Sequence, residues 1–293
     1  MNNQSKNINI IVGLDLSEMD PYLIQYARLL NEILDTSRTV FVHNLKIGEL
    51  PKELLPADKL APISKRIQEK LTQQIRNTNP NYTFEVEVKT EAYSELAFMS
   101  LAKSVKPDLL VLGNKQHLEG NGGLGQKLVR VLPCSTLLIP ETFRSPIHKI
   151  VDAIDFSRYT QPVMEWAELF KRNAKGKVVD HSAIHVSKFN WGFFPTMSEQ
   201  DIKRATQQDM EKRQQEWAKK YANFSDIAIV AAEGKSIAST LLQYAQKSKA
   251  EMMILGVKGS TSISDLFMGS VANDLIQRPT DICLLFAKPK KDI

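Results

Sequence analysis

Four small residues are placed so that they could hold an anion on main-chain amides: Gly256, Gly259, Gly269 and Ser270. They stand as Gly256-Val257-Lys258-Gly259, then nine intervening residues, then Gly269-Ser270. The apolar run Met252-Met253-Ile254-Leu255 comes directly before and reads as a buried strand. A strand, a glycine pair, a loop and a Gly-Ser that opens a helix make a phosphate-cradling turn. Glycines let the backbone come close to a charge and adopt positive φ, and helix-start N–H groups point at it. The Ser270 hydroxyl adds a side-chain donor at the same place.

The chain repeats itself at the scale of a domain. Asp15 in Ile11-Val-Gly-Leu-Asp15-Leu-Ser17 returns as Asp155 in Val151-Asp-Ala-Ile-Asp155-Phe-Ser157, 140 positions on. Val42-His43 returns as Ile184-His185 at 142, and Asp108–Gly113 returns as Glu251–Gly256 at 143. Pro133-Cys134 is echoed by Pro279-Thr280, each pair leading into a closing apolar run. Landmarks in constant order mean a duplicated domain, since the period is far too long for a solenoid. The expected boundaries are residues 1–142 and 147–293, with Glu141–His148 as linker.

The spacing G-x2-G-x9-G-S is also the nucleotide signature of the ATP-binding branch of the universal stress protein family, which this chain resembles over essentially its whole length as a tandem member. That resemblance implies two five-stranded, mainly parallel α/β sheets of the Rossmann-like, adenine nucleotide alpha hydrolase-like type. It implies ATP, with Mg²⁺, in the second half. Gly256, Gly259, Gly269 and Ser270 would hold phosphate and ribose, with the Val271 backbone nearby. Asp155 would lie near the adenine and Val186 would contact the base. Lys258 stands where the family often has Arg or His; it either supplies a cation to the phosphates or is a solvated loop lysine. Asp155 and Asp15 have a second reading, as caps of the helix that follows.

The first half departs from the motif. After Gly113 come Asn114-Lys115-Gln116, so a glutamine stands at the second glycine, and no Gly-Ser opens the next helix. This half is expected to bind ATP weakly or not at all and to pair with the second through the last strands, as the family's dimers do. Its extra glycines, Gly120, Gly122, Gly123 and Gly125, leave a variant site open as the competing reading. A homodimer of chains is compatible with the same reasoning.

Alternating apolar strands and amphipathic helices position these residues in an α/β fold. In the first half the strands are expected at Ile8–Leu14, Thr39–Leu45, Thr83–Val88, Leu109–Leu112 and Thr136–Ile139. The helices are expected at Pro21–Leu34 after an Asp20 cap, Ala57–Arg76, and Ser94–Val105 with Ser94 as cap. The second half reads the same way: strands Ile150–Ile154, Val178–Ile184, Ile227–Ala231, Met252–Leu255 and Ile282–Phe286, and helices Pro162–Arg172, Glu199–Tyr221, Ser236–Lys247 and Ser270–Gln277. Helix Glu199–Tyr221 sets Ile202, Ala205, Met210, Trp217 and Tyr221 mostly on one face and reads as a surface helix over the sheet. His43 and His185 recur on strands and read as core histidines. Phe189–Met197 is rich in aromatics and serves as a lid, a partner surface or local packing.

Composition narrows the classes. At 293 residues with 43% hydrophobic content the chain can bury two cores. A net charge of +5 is spread along it and makes no case for nucleic acid. No run approaches a membrane span, and the start lacks a signal peptide's apolar core, so a cytoplasmic protein is expected. Cys134 and Cys283 read as small core residues, and no cluster has zinc spacing. No Walker A loop, nucleophile elbow or kinase catalytic loop occurs, so catalysis is limited to slow ATP hydrolysis at most, with Asp265 the one carboxylate inside the loop. The alternative function is a nucleotide-independent scaffold acting by association. A nucleotidyltransferase or ATP pyrophosphatase is disfavoured, because Asp15-Leu-Ser17 and Asp155-Phe-Ser157 lack those enzymes' glycine- or histidine-bearing loops.

Overall fold

The computed structural model describes residues 8–34, 36–115, 123–142, 146–172, 179–187, 198–224, 226–232, 234–259 and 268–290. Strands and helices alternate as β1 (Ile8–Leu14), α1 (Asp20–Leu34), β2 (Thr36–Asn44), α2 (Ala57–Thr78), β3 (Glu85–Lys89), α3 (Ser94–Val105), β4 (Leu109–Asn114), α4 (Gly123–Val131) and β5 (Ser135–Pro140). The second round is β6 (Lys149–Ala153), α5 (Thr160–Arg172), β7 (Asp180–Ser187), α6 (Glu199–Lys220), β8 (Ala228–Ala231), α7 (Ile237–Lys247), β9 (Met252–Gly256), α8 (Ser270–Gln277) and β10 (Cys283–Ala287).

One ten-stranded sheet runs through the molecule in the order β3-β2-β1-β4-β5-β10-β9-β6-β7-β8. Within each five-strand set every pairing is parallel. The sets meet at β5 and β10, which pair antiparallel with Leu137 opposite Leu285. Pairing through the closing strands is thus as expected, and it leaves neither of these apolar strands as an open edge. Trp166 Nε1 donates to Ser135 Oγ (2.9 Å) and Gln126 Nε2 to Asn273 Oδ1 (2.6 Å), one bond on each face of the sheet across the junction.

Helices cover both faces. Apolar stripes of α1, α2, α5 and α6 pack on one, and those of α3, α4, α7 and α8 on the other. Strands buried on both sides read as the continuous Val/Ile/Leu runs seen in the sequence. Both cysteines are buried among these apolar neighbours, and burial pushes their thiols up to about 11 for Cys134 and about 12 for Cys283.

Three local expectations are corrected. Asp20 does not cap α1: its carboxylate turns back to accept from Asp15 N (3.1 Å) and Leu16 N (3.0 Å), tying the β1–α1 turn. Ser94 starts α3, whose cap position is Tyr93, and its Oγ accepts weakly from Asn44 Nδ2 (3.4 Å). Helix α6 is a covering helix only at one end. Trp217 is 2% exposed, whereas Ala205 is exposed and Met210 half-buried. The side chain of Ile202 lies outside the described residues.

Candidate functional site

Parallel α/β sheets bind ligands at the carboxyl ends of strands where successive connections diverge. Here β6 and β9 are neighbours whose crossovers leave to opposite faces. Asp155 follows β6 and Gly256 ends β9. The two motifs therefore meet, as their order along the chain implied.

The β6 turn is built by Asp155 itself. Its Oδ1 accepts from Ser157 N (2.9 Å), Ser157 Oγ (2.7 Å) and Thr160 Oγ1 (3.3 Å), while Phe156 adopts φ +57°. One oxygen thus holds the turn, rather than capping the next helix as the alternative reading had it. The other, Oδ2, is buried without a hydrogen-bond partner. It faces the glycine turn: a Cβ built on Gly259 would lie 3.3 Å from it. A buried carboxylate oxygen with nothing donating to it is costly, and a donor placed beside it would relieve that cost.

The glycines are required by space rather than by φ. Among the described residues the positive-φ glycine is Gly234, and Gly256, Gly259 and Gly269 do not share that conformation. This corrects the expectation of left-handed glycines in the loop. A Cβ on Gly256 would stand 2.8 Å from Tyr159 Cβ and 3.0 Å from Lys258 O. One on Gly269 would stand 3.2 Å from Lys258 Cα and 3.3 Å from Val257 O. Gly269 N donates to Val257 O (2.9 Å), which clamps the start of α8 against the β9 turn. Gly256→Ala is accordingly expected to lower stability by about 1–3 kcal/mol through overpacking against Tyr159, read as a lower urea midpoint at unchanged slope.

Helix α8 begins at this clamp. Gly269 occupies its cap position and has no side chain to accept from the first-turn amides, which include Ser270 and Val271. Ser270 is exposed and Val271 half-buried. Lys258 is only 9% exposed, so it is not a solvated loop lysine. Val186, near the end of β7, is buried in the face beneath α7. Strand β7 flanks the site turn, since Ile154 N donates to Ile184 O (2.8 Å). His185 Nδ1 lies 2.8 Å from Ile154 O, and a carbonyl only accepts, so this nitrogen carries the proton. Burial lowers the pKa of His185, as it does for His43, whose Nδ1 meets Leu14 O at 3.0 Å. Both are structural histidines in these bonds, as the recurrence suggested. The aromatic segment 189–197 and Asp265 lie outside the described residues.

The first half repeats this geometry and occupies its carboxylate from within. Asp15 bonds Ser17 as Asp155 bonds Ser157, and Leu16 adopts φ +63°. Its Oδ2, however, is taken by the ammonium of Lys115, the repeat-equivalent of Lys258. Burial raises the Asp15 pKa, but the bonds from Lys115 and Ser17 outweigh it and hold the carboxyl below its ordinary value. Asp20 beneath is pushed up to about 6, chiefly by burial. Space is not what separates the halves: a cavity of ≈ 1310 Å³, lined by Asp15, His43, Gly113, Lys115 and Lys127 among others, opens at this switch point. Gln116 lies outside the described residues. The sequence reading missed the role of Lys115; its signal was the alignment of Lys115 with Lys258 at the offset of 143.

Among the described residues no group of three His, Cys, Asp or Glu side chains could hold a metal ion, and no helix is long and apolar enough to cross a membrane.

A doubly wound α/β sheet with a glycine-walled crevice at its switch point is the class that fold and site define. Residues 146–280 match the model of the universal stress protein family. A universal stress protein of Methanocaldococcus jannaschii is 33% identical over 55 residues, covering 19% of this chain and 32% of that protein, so the match spans about a third of the relative's length. Among solved structures, a universal stress protein from Archaeoglobus fulgidus DSM 4304 superposes with a TM-score of 0.68 at 15% identity, covering 97% of this chain and 99% of its own. A candidate universal stress protein from Pseudomonas aeruginosa UCBPP-PA14 gives 0.66 at 14% identity, covering 99% and 96%. Residues 146–280 therefore belong to the universal stress protein family, and the whole chain shares the fold of these two structures.

Proposed function

We propose that this chain is a nucleotide-responsive regulatory protein of the cytoplasm, built of two universal stress protein modules, 1–142 and 147–293, and that the second module binds ATP. The carrying observation is the buried, unpartnered Oδ2 of Asp155, 3.3 Å from where a Cβ on Gly259 would sit. Such an oxygen suits a ligand amine or hydroxyl, and the missing Cβ leaves room for it. The N-terminal amides of α8 suit the phosphates. Gly256, Lys258, Gly259, Gly269, Ser270 and Val271 would line the phosphate end, and Asp155 and Val186 the base end. Mg²⁺ would arrive on the phosphates, the usual mode for this ion. Bound ATP supplies negative charge and a hydrogen-bonding base; the chain's own residues orient it, and no general base among them is assigned to hydrolysis.

In the first module Lys115 supplies from within the chain the donor that a ligand would otherwise bring to Asp15, so one nucleotide per chain is expected. Calorimetric titration of Mg-ATP into the purified protein tests this. A stoichiometry near 1:1 supports the reading. Two equivalent sites would overturn the assignment to one module. No binding heat, with no adenine nucleotide released on denaturation, would leave a scaffold that acts by association.

A further inference from the structure

The repeat offers an internal control for every residue near the site, and one position breaks it. At the offset of 142 that relates His43 to His185, the helix residues Leu71 and Ile75 of α2 correspond to Arg213 and Trp217 of α6. Leu71 and Ile75 are both completely buried in the core, and Trp217 is buried in the same layer. The fold thus asks for an apolar side chain where the second half carries a guanidinium.

That guanidinium stands at the candidate site. Its carbon lies 5.1 Å from the centroid of the Phe156 ring, inside the range of a cation–π contact. Phe156 is the residue next to Asp155, and its ring meets the His185 ring edge-on at 5.0 Å. Asp209, one turn earlier, holds Arg213 Nε at 2.6 Å, and the arginine side chain remains 34% exposed. The Phe156 ring thus lies between the Arg213 guanidinium and the ring of His185, near the end of β7. In the first half the residue equivalent to Phe156 is Leu16, which offers no ring to stack on.

We propose that Arg213 is a specificity-determining residue of the second-half crevice, holding the purine end of the nucleotide through its guanidinium plane and the adjoining Phe156. This rests on the nucleotide reading above. A guanidinium steadied by a carboxylate on one side and an aromatic ring on another is a planar donor surface for a base, and such surfaces stack on any purine. Asp155 beside it accepts from a ligand donor, so the two groups together present a donor and an acceptor. Charged phosphates belong to the α8 end, where the small residues are. Arg213 therefore separates from the phosphate site in what it recognises.

The test is calorimetric titration of Mg-ATP and of inorganic tripolyphosphate into wild type, Arg213→Leu and Arg213→Lys. Leucine is the residue the fold accepts at Leu71, so Arg213→Leu is expected to fold with an undiminished melting temperature. It should bind ATP about tenfold more weakly while tripolyphosphate is unaffected. Arg213→Lys keeps the charge and loses the plane, and should be weakened too. Equal loss for both ligands, full rescue by lysine, or unchanged ATP affinity in Arg213→Leu would each overturn the role. A wild type that binds no ATP would instead remove the nucleotide reading, and this inference with it.

Discussion

Gly259→Gln is expected to cut ATP affinity by about a hundredfold, roughly 2.7 kcal/mol, while leaving the fold intact. The substitution copies into the second half the residue that Gln116 supplies in the first. Backbone strain does not enter, because Gly259 lies outside the left-handed region. Its open flank faces Asp155 Oδ2 at 3.3 Å, and a glutamine amide there would donate to the oxygen now lacking a partner. The variant would thus satisfy the carboxylate from within, as Lys115 does for Asp15, and fill the space a ligand needs. Titration of Mg-ATP into wild type and variant reads this directly, with circular dichroism as the control for folding. Unchanged affinity would show that the Asp155–Gly259 gap is not where nucleotide sits.

The second large effect concerns stability. Asp152 lies in the middle of β6 with 0% exposure and pairs with His181 Nδ1 at 2.9 Å, and the His181 ring stands perpendicular to that of Phe224 with centroids 5.8 Å apart. Its other oxygen has no hydrogen-bond partner. Burial raises the Asp152 pKa, and His181 pulls it partly back. The repeat-equivalents are Val12 and Thr39, so the fold does not demand this pair. His181→Ala is expected to cost about 3–5 kcal/mol at neutral pH, because it strands a buried carboxylate. Asp152→Val with His181→Val should recover that loss and match or exceed wild type, by up to about 4 kcal/mol.

The pH dependence of His181→Ala follows from the sign of the Asp152 shift. A carboxyl whose folded pKa is raised stabilises the native state fully below its unfolded value of about 3.9, and that contribution is lost as pH rises through the folded pKa. The deficit of His181→Ala should therefore shrink on acidification toward pH 4. Urea midpoints across pH measure both effects. A double variant as unstable as the single one would mean that the pair is required by the packing itself.

Much of this was readable before any coordinates, because duplication reports on itself. Asp15 and Asp155, or Gly113 and Gly256, mark strand ends twice, and apolar runs of five or six residues mark the strands between. Boundaries drifted where the signal was local: β10 is Cys283–Ala287 rather than Ile282–Phe286. Helix α4 carried no expected bounds, since the glycines at 123 and 125 hide its apolar stripe. The partners of the motif residues were not readable, because they come from distant segments. Lys115 reaches Asp15 across 100 positions and Arg213 reaches Phe156 from another helix. Asp152 and His181 carried no expected role, and the covering by α5 and α6 makes them core. The reason for the glycines was also misread: steric clearance against Tyr159, Lys258 and Asp155 decides them.

The antiparallel seam between β5 and β10 has a geometric consequence. Every strand of one half points opposite to every strand of the other. The two switch-point crevices therefore look out from opposite rims of the sheet, back to back. A molecule docked on one rim is therefore separated from an occupant of the other by the full width of the strands.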